Sequence, residues 1–438
     1  MNERLAHRGP DGAGIAVFSN CVLGHRRLSI IDPEGGQQPM YDASGQRCVV
    51  FNGEIYGFRE IIPRLNYPFR TTCDTEVLLA LYDKYGSGMM AHLPGMFAFA
   101  IWDEREQRLF AARDRMGEKP LYYARLPDGG LVMSSEVKGI LASGLVRSSI
   151  DLESLSHYLM FGYSPRGRSI YRDIDSLPPA HTLEWKNGSI RIARYWTPPP
   201  PSERVDEREA IAEFKARLDR AVQKQLVADV EVAAFLSGGL DSSSVVRLAS
   251  RYNPALRTIS YGFEEPFSEL RYAREVARHC GTCHIEEHDA NQDIPSLVQR
   301  MAEVYDEPFF DSSAVPTWLI CRKAARYVKV VLTGDGGDEI VGGYNFWYKP
   351  IIAMHEHYPR QTRWKDLLYF SARIAQRLGV TTPAIDQFTR LYGLRRRCKT
   401  VPRAHWYQQR VFSPSDLARW GLPAVPLEEA DRFPDNPS

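Results

Sequence analysis

Between about Gly14 and Tyr195 the apolar positions fall in short runs cut by Gly, Pro and Asp: residues 15–18, 48–51, 97–102, 109–112, 121–124 and 131–134. Short runs bounded by turn formers predict strands. One helix interrupts them at 74–84, where Val77, Leu78, Ala80, Leu81 and Tyr82 supply an apolar face. The pattern predicts an antiparallel, sheet-rich α+β domain over 1–195. Trp196-Thr-Pro-Pro-Pro-Pro then gives a stiff extended stretch, because consecutive prolines continue neither a helix nor a central strand. Residues 196–206 are therefore expected to be a linker.

From 207 to 438 the periodicity changes. Ile211, Phe214, Leu218 and Val222 mark a helix over 207–225, and 230–236 is a short strand. Helix and strand then alternate: helices at 242–251, 270–280 and 317–327, strands at 257–261, 284–287 and 328–332. This alternation predicts a parallel α/β sheet with helices on both faces. Ligands of such sheets lie at the carboxyl ends of the strands, so the residues after Leu236, Tyr261 and Leu332 should converge on one crevice. Beyond Tyr348 the chain reads as helical.

Composition narrows the function. With 44% hydrophobic and 25% charged residues the chain is globular, and no apolar run approaches the roughly eighteen residues of a membrane span. A formal charge of +1 gives no long-range attraction to nucleic acid or anionic membrane, which leaves small-molecule substrates as the expected partners. The basic run Arg395-Arg396-Arg397 to Lys399 reads as a solvated helix face. Seven scattered cysteines with no signal peptide suit a reducing cytoplasm. Cys280-Gly-Thr-Cys283, flanked by His279 and His284, has redox or half-zinc spacing, but Cys321 and Cys398 are isolated and supply no matching second pair.

Two loops carry the chemistry. The strand ending at Leu236 runs into Ser237-Gly238-Gly239-Leu240-Asp241-Ser242-Ser243 and then a helix. A glycine turn, hydroxyls and a helix N-terminus together form an anion cradle. The loop lacks the Gly-Lys-Ser/Thr ending of a Walker loop and looks like the pyrophosphate loop of enzymes that split ATP into AMP and pyrophosphate. The strand ending at Leu332 leads into Thr333-Gly334-Asp335-Gly-Gly-Asp338-Glu339. Carboxylates packed among glycines at a strand end suit a bound cation, so Asp241 and Asp338 are candidate Mg²⁺ ligands.

The two loops in this order resemble the synthetase domain of the glutamine-dependent asparagine synthetases. The first domain adds matching stretches: His7-Arg-Gly-Pro-Asp-Gly12, His25-Arg-Arg-Leu-Ser-Ile30, Asn52-Gly-Glu-Ile-Tyr56, Asp74-Thr-Glu76, Gly95-Met-Phe-Ala-Phe99, and Arg113-Asp114 on to Lys119-Pro-Leu-Tyr-Tyr123. The resemblance implies an α+β Ntn-type glutaminase domain of antiparallel sheets with helices. An α/β adenine-nucleotide-hydrolase-like domain with a parallel sheet would follow it. It implies ATP and Mg²⁺ as cofactors, and aspartate, glutamine or ammonia as substrates. Aspartate would be converted to asparagine through a β-aspartyl-AMP intermediate, in a cytoplasmic homodimer. Leu236, Ser237, Gly238, Gly239, Asp241, Ser242, Tyr261, Thr333 and Gly334 would then contact ATP. Asp335 falls where other members carry a glutamate that takes a proton from the attacking ammonia. Arg27, Leu28, Ser29, Ile30, Asn52, Gly53, Glu54 and Asp74 would bind glutamine. In that set Arg27 would pair the α-carboxylate bidentately, Glu54 and Asp74 would hold the ammonium, and the Asn52 side chain and Gly53 N–H would form an oxyanion hole.

The pattern is departed from at both ends. The family's nucleophile is an N-terminal cysteine whose own α-amine is the base; Cys21, Cys48 and Cys73 are internal. Met1 therefore reads as an internal start and glutamine hydrolysis by this chain is expected to be absent. Family members also run past residue 438 into helices that complete the aspartate pocket and carry a lysine. Lys365 and Lys399 do not stand in its context, so the synthetase reaction is also expected to be impaired. Relatives that amidate another carboxylate or close a β-lactam ring use the same loops, and a non-catalytic remnant is a third reading. Retention of Arg27, Asn52, Glu54 and Asp74 speaks against long decay of glutamine binding.

Overall fold

The computed structural model describes residues 1–200, 206–262, 268–289, 293–357, 362–378, 380, 382–397 and 409–425. Pro201, Cys398 and Lys399 lie outside them. The chain divides into two compact units, residues 1–154 with 164–334, and residues 155–163 with 335–438.

In the first unit, β1 (Gly12–Val17) and β2 (Val22–Arg27) form a hairpin. A six-stranded sheet holds β3 (Met40–Tyr41), β4 (Arg47–Glu54), β5 (Met96–Asp103) and β6 (Arg108–Arg113). A small sheet combines β7 (Tyr122–Arg125), β8 (Leu131–Ser134) and β9 (Asp175–Ser176). β10 (His181–Lys186) and β11 (Ser189–Arg194) then complete the six-stranded sheet in the order β11-β10-β6-β5-β4-β3, antiparallel at every pairing. Alternation along β5 explains the layering. Phe97, Phe99 and Ile101 face one core with Val49, Phe51 and the helix Asp74–Tyr85. Ala98, Ala100 and Trp102 face another with Ala16, Leu23, Tyr123 and Leu177. A strand covered on both faces reads as a continuous apolar run, as 97–102 does. The helix Asp74–Tyr85 is buried all round its first nine residues, Asp74 and Glu76 included, rather than on one face.

The same unit holds a four-stranded parallel sheet of β12 (Val232–Phe235), β13 (Arg257–Tyr261), β14 (Cys283–Glu287) and β15 (Val330–Leu332), ordered β14-β13-β12-β15. Helices cover both faces, as the alternation predicted. Val232, Ala234 and Leu236 meet Val222, Val246, Ala249, Ala273 and Ala277 on one side, and Ala233 and Ile259 meet Ala324 and Val328 on the other. The strand order turns at β12, because the chain builds outward through β13 and β14 before β15 returns to its other side. The crevice of such a sheet opens at the carboxyl ends of β12 and β15.

The second unit is helical: Gly337–Val341, Asn345–His357, Arg363–Arg377, Pro383–Arg397 and Pro414–Arg419. Arg396 of the basic run pairs Asp366 at 3.0 Å and lies over the rings of Tyr369 and Phe370, which makes it a packing residue. Cys280 ends the helix Leu270–Cys280, Gly281 caps it in the left-handed conformation, and Cys283 opens β14. Among the described residues no three His, Cys, Asp or Glu side chains gather as a metal site.

Candidate active sites

Four elements of the antiparallel domain carry the first group of candidate residues. Arg27, at the end of β2, is 5% exposed, and its guanidinium donates to the carbonyls of Pro33 at 2.8 Å, Ile31 at 2.9 Å and Asp32 at 2.7 Å. A guanidinium has five N–H groups, so two remain for a ligand carboxylate. Among the described residues Arg27 makes no surface ion pair, the ordinary use of such an arginine. The segment it grips is held again by Asp32, whose carboxylate accepts from Gly35 N and Thr72 N at 2.8 and 2.9 Å. Leu28, Ser29 and Ile30 lie between grip and strand. Ser29 N donates to Asp11 Oδ2 at 2.8 Å, which gives the His-Arg-Gly-Pro-Asp stretch a bracing role. His7 and Arg8 of that stretch meet Glu136.

Asn52, Gly53 and Glu54 end β4, in register with Ala98, Phe97 and Met96 of β5, so Asn52-Gly53 does not close a hairpin. Asn52 Nδ2 is buried with no hydrogen-bond partner among the described residues. An unpartnered buried amide donor is costly, and a ligand oxygen would satisfy it. Gly53 has φ +156°, and a Cβ there would collide with Met96 O and stand 2.8 Å from Phe97 Cα. Asp74, the first residue of its helix, accepts from Ile55 N at 3.0 Å, which ties the end of β4 to the helix start. Asp114 accepts from the backbone N–H groups of Phe97, Met116, Glu118 and Lys119, and so shapes the loop that brings Lys119 beside Glu54.

Burial governs the electrostatics. It pushes the Glu54 carboxyl well above the ordinary range, with the Asp74 charge adding to the effect and Lys119 opposing it. Burial likewise raises Asp74, against the hydrogen bond from Ile55. Lys119 is lowered by the same desolvation. The thiols of Cys21, Cys48 and Cys73 are each pushed up to about 12 by burial, so none is a thiolate near neutrality. A carboxyl raised in the folded state holds its proton there after the unfolded chain has released it. Stability is therefore expected to fall as pH rises from the ordinary carboxylate value of 4.5 through the raised value of Glu54. Glu54→Gln should flatten that fall and raise the melting temperature at pH 8, at roughly 2–4 °C per kcal/mol; melting curves from pH 5 to 9 read it out, and parallel curves for the two proteins would refute it.

The second site is built at the carboxyl ends of β12 and β15. Ser237 Oγ lies 3.0 Å from Ser242 Oγ and accepts from Gly239 N at 3.2 Å, so the loop folds around its own hydroxyls. Gly238 has φ +86°, and a Cβ there would lie 2.5 Å from Tyr272 Cβ and 2.7 Å from Ala273 N. The helix Leu240–Tyr252 follows, with Asp241 in its first turn, where a negative charge suits the helix dipole. A Cβ on Gly334 would lie 2.7 Å from Ser242 N and 3.0 Å from Asp241 Cβ, so the Thr333-Gly334 turn presses backbone to backbone on that first turn. The two strand-end loops thus lie directly against each other at this point. Leu236 is 1% exposed and its carbonyl accepts from Ser260 Oγ, which fixes the strand end and leaves its side chain in the core. Tyr261 closes β13, and its hydroxyl donates to Asp289 Oδ2 at 3.2 Å. Asp289 in turn pairs with Arg322 at 3.0 Å and with the buried Lys323. Asp335 and Asp338 belong to the second unit, where Asp338 lies in the first turn of the short helix Gly337–Val341 and its carbonyl accepts from Gly343 N at 2.9 Å.

An antiparallel glutaminase-type domain joined to a parallel nucleotide-type domain defines a two-domain amidotransferase architecture. Residues 1–196 match the family described as glutamine amidotransferase domain, and residues 213–421 match the one described as asparagine synthase. A relative in Methanocaldococcus jannaschii named putative asparagine synthetase [glutamine-hydrolyzing] 2 is 37% identical over 370 residues, 78% of this chain and 72% of that protein. Asparagine synthetase [glutamine-hydrolyzing] 1 of Bacillus subtilis is 34% identical over 378 residues, 85% of this chain and 59% of its own length. A Mycobacterium bovis protein named putative asparagine synthetase [glutamine-hydrolyzing] is 35% identical over 384 residues, 82% of this chain and 58% of its own. The chain belongs to the asparagine synthetase family, and it spans about three fifths of the length of the latter two relatives. No described helix is long and apolar enough to cross a membrane.

Proposed function

We propose that this protein makes asparagine from aspartate in the cytoplasm, at the expense of ATP, through a β-aspartyl-AMP intermediate. In the first step a side-chain carboxylate oxygen of aspartate attacks the α-phosphorus and pyrophosphate leaves. Ammonia then attacks the acyl carbon, a proton passes to Asp335, and AMP leaves. The observation that carries the reading is the seat of Gly334 against the first turn of the helix Leu240–Tyr252, which joins both strand-end loops into one anion cradle. The helix N-terminus at that turn and the Ser237 and Ser242 hydroxyls suit pyrophosphate better than a side-chain core, since a Cβ on Gly334 would not fit between the loops. Asp241 and Asp338 are the carboxylates proposed for Mg²⁺, which when bound would neutralise the leaving pyrophosphate.

Nitrogen comes from free ammonia, and Arg27, Asn52, Gly53, Glu54 and Asp74 are the residues proposed to seat glutamine. The unpartnered Asn52 amide supports an oxyanion-binding role in that pocket. The test is AMP and pyrophosphate release with ATP, Mg²⁺ and ammonium, comparing aspartate with other carboxylates. Release that requires aspartate supports the reading; release only with another carboxylate would reassign the acceptor. Asp241→Asn and Asp338→Asn are each expected to reduce AMP formation by about a hundredfold or more with the melting temperature nearly unchanged. Undiminished turnover in either variant would remove that residue from the magnesium assignment.

A further inference from the structure

The segment that Arg27 grips is held from a second side by residues of the parallel-sheet domain. Asp229 lies just before β12; its backbone N–H donates to Ile30 O at 3.1 Å, and its Oδ2 accepts from Asp32 N at 2.8 Å. Arg59 Nη2 reaches Asp229 Oδ1 at 3.4 Å and keeps that carboxylate oriented. Val227 and Ala228, immediately before Asp229, pack with Ile30 against the core that contains Ile31. On the other flank Lys329, just before β15, donates to Asp11 Oδ2 at 2.7 Å, the same oxygen that accepts from Ser29 N. Two residues at the amino ends of neighbouring strands therefore bracket Ser29 to Asp32. The carbonyls of Ile31 and Asp32, which fix the Arg27 guanidinium, belong to or adjoin that bracketed stretch.

We infer that the parallel-sheet domain completes the glutamine pocket of the antiparallel domain, with Asp229 and Lys329 as positioning residues that aim Arg27 through the Ser29 to Asp32 backbone. The inference rests on the reading of Arg27 as a glutamine ligand. Neither residue touches the substrate; each fixes a backbone group that in turn fixes the guanidinium, and geometry of this kind must hold to a fraction of an ångström for a carboxylate to be met. The arrangement also makes the pocket dependent on the neighbouring domain being folded.

The test is glutamine affinity by titration calorimetry on the whole chain, with amide hydrogen exchange of residues 28–33 as a second readout. Asp229→Ala and Lys329→Met are each expected to weaken glutamine by about fivefold, and the double variant by more than about tenfold. Exchange at residues 28–33 should quicken in step. Asp229→Asn keeps an oxygen for the Asp32 N–H and should recover most of the affinity, whereas a merely structural role predicts loss tracking the melting temperature without such rescue. ATP affinity should stay within about twofold throughout, since both residues lie at the strand ends away from the nucleotide loops. Variants that bind glutamine like the parent, with unchanged exchange, would overturn the inference alone. A parent chain that takes up no glutamine would overturn the glutamine-site reading, and this inference with it.

Discussion

Gly334→Ala is expected to reduce AMP and pyrophosphate formation by about a hundredfold or more while leaving the fold in place. The added methyl would stand 2.7 Å from Ser242 N and 3.0 Å from Asp241 Cβ. Neither neighbour is the free end of a flexible side chain, so relief requires one loop to move away from the other. A displacement of about 1 Å at positioned reacting groups is enough for a hundredfold loss of rate. The strand below is untouched, because Leu332 ends β15 two residues earlier and its side chain stays in the core. Gly88→Ala is the matched control, since a Cβ there meets nothing within 4 Å. Circular dichroism and melting temperature should be nearly unchanged in both variants, and AMP release should be lost only in the first. Full activity in Gly334→Ala would mean that the two loops do not act as one cradle.

The second large effect belongs to Arg27. Arg27→Ala removes three charge-assisted hydrogen bonds and leaves the carbonyls of Ile31, Asp32 and Pro33 without their donors. Hydrogen bonds from a charged group are worth about 1.5–3 kcal/mol each, and water entering the void recovers part of that. A net loss of about 3 kcal/mol or more in urea unfolding is expected, together with loss of measurable glutamine binding. Arg27→Lys should recover little of either, because an ammonium is a single point with no planar fork to span three carbonyls. The prediction separates the residue from a surface arginine, whose removal would cost almost nothing.

Most of the scaffold was legible because its strands are either apolar throughout or cut by glycine turns. The strands expected at 97–102, 109–112, 131–134 and 257–261 fall within β5, β6, β8 and β13, and the helix expected at 207–225 is Glu207–Gln225. What escaped was polar or depended on a distant partner. β2 reads Val-Leu-Gly-His-Arg-Arg and is a strand because β1 pairs with it in full register. β11 likewise carries Arg191 and Arg194 on an edge beside β10. Motif order singled out both groups of candidate residues, yet it did not distinguish ligands from braces. Asp114 and Glu76 sit in matching stretches and serve backbone amides: Asp114 through four of them, Glu76 through Arg70 and Thr71. Asp229 and Lys329 had no local signal at all, since each acts on a segment some two to three hundred residues away.

Labelled aspartate tests the central claim most directly. With both oxygens of the side-chain carboxylate carrying ¹⁸O, and with ATP, Mg²⁺ and ammonium supplied, attack on the α-phosphorus leaves one labelled oxygen on the product nucleotide. The account predicts labelled AMP, unlabelled pyrophosphate, and asparagine retaining the other label. Label in inorganic phosphate alongside ADP, or no transfer to AMP while asparagine forms, would contradict it.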